Sequence, residues 1–243
     1  MKLDDLKLPL DYYELKARIA PAIFLSVPVL LTLWTCYKEE FTGLSDIFKG
    51  IISLAIVYVF SIIVRALGKK IEPELWESWG GAPSIQIVSW KNKIIGDELK
   101  GLYLQAVRER LKLPTPTRED EEANSTRAAD LIKQAFKGIQ GVIRQKDKDG
   151  LWSIANADYG FARNLSGSRI LWLTISAVMA IISAYNLYSQ FSNPILIGLV
   201  GNAVMVFASI YVGWYVLPQY TKQVAFRYAE HSWESFYNAV SAG

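Results

Sequence analysis

The stretch Ile51-Ile-Ser-Leu-Ala-Ile-Val-Tyr-Val-Phe-Ser-Ile-Ile-Val-Arg-Ala-Leu-Gly68 contains a single formal charge, Arg65, close to its end. A run of this length crosses about 30 Å of hydrocarbon as a helix, which takes about 20 residues. Arg65 is placed where a long side chain can snorkel to the headgroups. Three further runs, Ile19–Tyr37, Ile170–Gln190 and Pro194–Pro218, hold no Asp, Glu, Lys or Arg at all. Buried helices of a soluble core are usually shorter and keep a polar face, so four such runs read as four membrane spans. Over the whole chain, 51% hydrophobic and 20% charged residues agree with this, because the charges concentrate between the runs.

The expected fold is mainly α, a four-helix transmembrane protein with a helical cytoplasmic domain inserted between spans 2 and 3. Its parts are an N-terminal amphipathic segment over 1–18, a first transmembrane hairpin over 19–68, a cytoplasmic sensor domain over 69–169, a second hairpin over 170–218 and a C-terminal cytoplasmic amphipathic helix over 219–243. Orientation follows from the connections. Lys38 to Gly50 holds two Lys against Glu39, Glu40 and Asp46, and Phe191-Ser-Asn193 is uncharged, whereas Lys16, Arg18, Arg65, Lys69, Lys70, Arg163, Arg169, Lys222 and Arg227 crowd the other ends. Basic residues favour the cytoplasmic side, so both termini and the middle region are expected there. Asp4, Asp5, Asp11 and Glu14 precede the first run in place of a basic leader, so that run is expected to be a retained helix.

Asp11 is a natural N-cap, with Glu14 three positions on able to complete a capping box, so one helix is expected from Tyr12 to Tyr37. Pro28, about midway, should kink it, either as a hinge or as tolerated packing. Ser176, Ala180 and Ala184 recur every four residues, a stripe on which helix backbones can approach. Asn202 lies about nine residues into the last run, where an amide must find a hydrogen-bond partner or line water. In the middle region, Pro73 and Trp79-Gly-Gly-Ala-Pro83 are expected to end the second helix, and the weak alternation of Ser84–Trp90 suggests a short strand. Helices are expected from Asp97 to Leu111 and from Ser125 to Gln145, with Glu119–Glu122 a solvated acidic turn before the second. Phe226, Ala229, Trp233, Phe236 and Val240 form a seam that can bundle with copies of itself, lie at a membrane or pack on the middle region.

Catalytic patterns are missing. No glycine-rich phosphate loop with its lysine occurs, His231 is the one histidine, and Cys36 is the one cysteine, which excludes an internal disulfide framework. Neither an enzyme nor a resident cofactor or metal is expected. The carboxylate pairs Glu72/Glu74 and Asp147/Asp149 stand among mixed charges, as solvated faces do. The middle region, 69–169, holds 17 Lys plus Arg against 14 Asp plus Glu. Its Trp76, Trp79, Trp90, Lys91, Lys93, Arg108, Arg110, Arg144, Lys146, Trp152, Tyr159 and Arg163 offer ring faces for bases and cations for phosphates, or else an aromatic core with positive-inside charge. Gly80 and Gly81 allow close backbone approach, and Arg163 beside Asn164 has the hydrogen-bonding groups to grip a phosphate, although both motifs read equally well as tight packing.

Asp11-Tyr-Tyr-Glu-Leu-Lys-Ala-Arg-Ile-Ala-Pro21, Leu75-Trp-Glu-Ser-Trp-Gly-Gly-Ala-Pro83, Leu113-Pro-Thr115 with Glu119-Asp-Glu-Glu122, and Tyr159-Gly-Phe-Ala-Arg-Asn-Leu165 follow one another over about the first two thirds of the chain. In these motifs the sequence resembles a widespread family of bacterial multi-span membrane proteins, among which we place the HalB-like membrane effectors of the Hailong antiphage system. Ser84-Ile85 and Ala162 depart from the family's Thr-Thr and second arginine. The resemblance implies a homo-oligomeric ion channel, a tetramer, in the lipid bilayer. It also implies opening by a single-stranded oligodeoxyadenylate from a partner nucleotidyltransferase, with death of the infected cell. The ligand would fall to Arg163, Asn164, Lys91, Lys93, Trp79, Trp90, Gly80 and Gly81. The same surface would serve a membrane-anchored scaffold that recruits a soluble partner without forming a pore.

Overall fold

The computed structural model describes residues 11–37, 43–146 and 150–241. It is 87% helical, and no strand occurs among the described residues, which settles the fold class as mainly α. Among the described residues eight helices follow in order: α1 Tyr12–Cys36, α2 Asp46–Ser78, α3 Pro83–Gln86, α4 Asp97–Leu111, α5 Arg118–Ala123, α6 Ser125–Lys146, α7 Leu151–Ser189 and α8 Asn193–Ser241. Helices α1, α2, α7 and α8 are long and apolar enough to cross a membrane, so the chain is a multi-pass membrane protein. The calls on Asp4, Asp5, Lys38, Glu39, Glu40, Asp147 and Asp149 lie outside the described residues.

The chain forms two compact units, Met1–Ile71 with Gly160–Thr221, and Glu72–Tyr159 with Lys222–Gly243. In the first, the spanning unit, Leu25 of α1, Val64 of α2, Leu165 and Trp172 of α7 and Leu217 of α8 make the apolar centre. Asp11 caps α1, its Oδ1 accepting from Glu14 N at 2.7 Å, while the Glu14 carboxylate turns forward to Arg18 instead of back to the cap. Two π turns interrupt the regular helix, Leu15–Ile19 in α1 and Val212–Val216 in α8. At their ends Ala20 N reaches Leu15 O and Leu217 N reaches Val212 O, five residues back.

In the second, the helical unit, the core is aromatic. Tyr103, Phe136, Trp152 and Trp233 are buried together with Leu104, Val107, Ile132, Ile139 and Ile143. Trp233 stacks on Tyr103 with centroids 6.4 Å apart and planes 12° apart, and its Nε1 donates to Ser84 O at 3.0 Å. The C-terminal seam takes the third of its three options: Ala229, Trp233 and Phe236 are buried in this core, with Phe226 and Val240 against its edge.

Three local expectations are corrected. Ser84–Trp90 is not a strand, because Pro83 starts the short helix α3 and the chain then turns. Pro73 does not end α2, which continues to Ser78 and stops at glycine. Gly80, with φ +84°, donates to Glu77 O at 3.0 Å, and Gly81, with φ +126°, donates to Trp76 O at 2.8 Å. That is the Schellman pattern, in which a residue with positive φ lets two N–H groups turn back on the last carbonyls. Glu119–Glu122 is not all solvated either. It forms α5, closed by reciprocal hydrogen bonds between Thr117 and Asp120, and Glu121 turns inward to 5% exposure.

Candidate functional site

Around the loop that joins α3 to α4, buried polar groups organise an exposed basic surface. Glu121 Oε2 accepts from Trp90 N at 2.7 Å and its Oε1 accepts from Ser89 Oγ at 2.5 Å. The carboxylate thereby takes two donors that the turn leaves free. Trp90 also donates Nε1 to Pro116 O at 3.3 Å, and Arg118 lies 5.6 Å over its ring, so one face already carries a cation. Lys100 is fully buried, its Nζ donating to Asn92 O and, at 2.9 Å, to Asp97 Oδ1. The hydrogen bond from Lys100, with that from Arg118, holds the Asp97 carboxyl below the usual aspartate range. Lys91 and Lys93 extend from this loop into solvent. Gly80 and Gly81 serve the helix cap, and Gln86 Nε2 closes the turn on Trp79 O at 3.1 Å and Gly81 O at 2.6 Å.

Other aromatic candidates lie inside the unit. Tyr159 is 5% exposed and stacks on Tyr228 at 5.7 Å, accepts from Trp76 Nε1 at 3.1 Å and donates to Glu72 Oε1 at 2.8 Å. Trp152 is buried beside the same Tyr228. Their rings fill a core and offer no open stacking platform.

Arg163 and Asn164 belong to the spanning unit. Both are buried in α7, and Arg163 Nε and Nη2 donate to Asn164 Oδ1 over 3.4 and 3.3 Å. Asn164 Nδ2 donates to Ala17 O at 2.7 Å. Helices approach closely here: a Cβ at Gly167 would lie 2.6 Å from Gly68 N, and one at Gly68 would collide with Asn164. Glycine is therefore required for contact, not for turning.

Farther along the bundle, Asn202 finds partners. Its Nδ2 donates to Thr32 Oγ1 of α1 at 2.8 Å and to Ser183 Oγ of α7 at 3.1 Å, tying three spans, while its Oδ1 is buried without a hydrogen bond. Cys36 Sγ lies 3.7 Å from the same Ser183 hydroxyl, and a Cβ at Gly198 would strike Thr35. Pro28 is buried in α1, and Thr32 Oγ1 donates to its carbonyl at 2.9 Å. Seven residues from Ser183 stands Ser176, seven from Asn202 stands Ser209 and six from Thr32 stands Ser26, all fully buried. Each of these hydroxyls donates to a carbonyl of its own helix, Ser26 to Ala22 O at 2.8 Å, Ser176 to Trp172 O at 2.9 Å and Ser209 to Val206 O at 2.8 Å. The small stripe is thus split: Ser176 is inside, Ala180 half-buried and Ala184 exposed.

Reading residues one at a time missed Thr32 and Ser183, because a hydroxyl can bond its own helix and leaves no periodic mark. Glu121 and Lys100 were missed because charge runs usually stay in water. Among the described residues no group of three or more His, Cys, Asp and Glu is placed to hold a metal ion. Comparison with family models, curated proteins and solved structures gave no match to this chain.

Proposed function

We propose that the chain is an oligomeric membrane effector that opens an ion path across the bacterial cytoplasmic membrane, its helical unit sensing a nucleotide or oligonucleotide on the cytoplasmic side, in antiphage defence. The observation that carries this reading is the set of polar side chains buried in the spanning unit beside its apolar centre. Thr32, Ser183 and Asn202 form one hydrogen-bonded layer, and Ser26, Ser176 and Ser209 are buried as well, although apolar side chains would fill the same space without desolvating any amide or hydroxyl. The sequence motifs support the sensing and defence parts. Lys91 and Lys93 are exposed cations open to a phosphate chain, as are Arg108, Arg110 and Arg144, whereas Arg118 is paired with Asp97. Purified protein in planar bilayers, with and without short oligodeoxyadenylate, tests this: ligand-dependent conductance that falls steeply with salt during binding is expected. No conductance under any ligand rejects it.

One observation favours the scaffold reading as second. Arg163, Trp152 and Tyr159, three of the residues best suited to phosphates and bases, are buried. A surface of exposed helices would then recruit a protein. Binding of oligonucleotide at low salt, where attraction is strongest, separates the two, since a scaffold binds none.

A further inference from the structure

Proline stands at the same place after both π turns: Pro21 two residues beyond Ile19, Pro218 two beyond Val216. A proline ring removes the N–H owed to the carbonyl four residues back and crowds that carbonyl, and widening the turn moves it aside. Yet Pro28 and Pro73 lie in ordinary α turns, so proline alone does not widen a helix here. The first π turn has a further partner. The carbonyl four residues before Pro21 is Ala17 O, and this is the atom that takes the Asn164 Nδ2 hydrogen bond. Arg163 holds the other end of the amide, which fixes its nitrogen toward α1. The fit is close, since a Cβ at Gly160 would come within 2.7 Å of Ala17 Cβ and 3.2 Å of the Tyr13 ring.

We propose that Asn164 is a latch that keeps the first π turn open by supplying the donor Pro21 lacks, with Arg163 as its positioning residue. Release of the latch lets the turn close to an α turn. Residues 12–14 then advance by one helical position, about 100° of rotation at 3.6 residues per turn. Tyr13 leaves Gly160, and the Glu14 to Arg18 pair loses its present spacing. The device needs neither a ligand nor a pore, so it stands or falls apart from the proposed function.

The test uses the full chain in lipid bilayers, with Cys36→Ser and one nitroxide at a time at positions 12, 15, 16, 19, 20, 23, 24 and 27, none of them buried. Oxygen accessibility should show a break in helical phase across 15–19, and Pro21→Ala should erase it. Asn164→Ala should erase it as well and lower the melting temperature in detergent by about 2–4 °C. In the Pro21→Ala background, where residue 21 has its own N–H for Ala17 O, the same substitution should cost less than half as much. Asn164→Asp, similar in shape but without the donor, should behave like Asn164→Ala and covers the case in which the alanine variant does not assemble. A phase break that survives Asn164→Asp, or an equal cost in both proline backgrounds, overturns the latch and leaves Asn164 a packing residue.

Discussion

The two units of this molecule differ in what their interiors add to an apolar centre, which in the spanning unit is Leu25, Val64, Leu165, Trp172 and Leu217. In the spanning unit hydroxyls and an amide face inward, while Leu54, Tyr58, Ile62, Ile181, Ile197 and Phe207 point out. In the helical unit aromatic and aliphatic side chains fill the centre, and the exposed positions of α6 include Arg127, Lys133, Lys137 and Arg144. Each arrangement is what its surroundings reward. In water the gain comes from burying apolar area, about 25 cal/mol per Å². In lipid the tails match an apolar surface, so helices associate through small residues, close contact and hydrogen bonds. The comparison predicts that the helical unit depends on a few large aromatic side chains, while the spanning unit adds small close contacts and buried hydrogen bonds to its own apolar centre.

The largest effect should come from the aromatic core. Trp233→Ala removes a fully buried ring from between Tyr103 and Phe136 and leaves Ser84 O without its donor. A loss of about 3–5 kcal/mol is expected from the cavity, measured by urea unfolding followed by fluorescence. A loss under 1 kcal/mol would break the contrast, since the helical unit would then not depend on its largest buried side chain.

A smaller effect, about 1–3 kcal/mol, is expected for Ala180→Leu, which overpacks a half-buried position in the spanning unit. Ala184→Leu, one turn farther and exposed, should change the stability of the single chain by no more than about 0.5 kcal/mol. If instead it alters oligomer size in detergent, the exposed end of the stripe faces a second copy, and the outer surface of the bundle is not all lipid-facing. Smaller again is Asn202→Val. It removes both bonds to Thr32 and Ser183, and interhelical hydrogen bonds of this kind contribute about 0.6 kcal/mol on average, up to about 1.7. Thermal unfolding in detergent checks it, and a clear gain in stability would show that the layer is kept for something other than holding helices together.

How much of this was legible beforehand depends on whether a feature repeats along the chain. The four spans, and helices from Asp97 to Leu111 and from Ser125 onward, are periodic or uniform, and they stand where the pattern put them. The Ser84–Trp90 alternation misled because it was shorter than the reach of Pro83 and the Gln86 side chain, which decide the turn. The destination of the C-terminal seam depended on the rest of the helical unit and was not a property of the seam. At the candidate site, Lys91 and Lys93 are as open as their charge suggested, whereas Arg163 and Asn164 are committed inside the bundle. Pro21 carried the missing signal: a proline within a helix announces a carbonyl that wants a donor, and only the fold shows that Asn164 provides one.

The finest distinction between surface and core is in the response of the helical unit to pH, where its two limbs should be set by different layers. Asp97 is held below its ordinary value of 3.8, first by the hydrogen bond from Lys100, and Asp120 in the same direction by its hydrogen bond to the Thr117 backbone. A carboxyl lowered in the folded state contributes stability that is complete above the unfolded value and disappears as pH falls through the folded one. Glu119 is lowered likewise from 4.5, so the acid limb should lie below about pH 4.5, and Asp97→Asn should flatten part of it. Tyr103 behaves oppositely: burial, with the charges of Glu234 and Glu230 behind it, raises its phenol from 10.0 to about 12. Burial raises Tyr228 too. A phenol raised in the folded state favours folding fully below its unfolded value and ceases to do so as pH rises through the folded one. Stability should accordingly decline between about pH 10 and 12, and Tyr103→Phe, which keeps the ring over Trp233, should flatten that decline while leaving the acid limb unchanged. If Tyr103→Phe leaves the alkaline limb as steep as before, Tyr103 is not what titrates, and the alkaline response belongs to Tyr228 or to the surface.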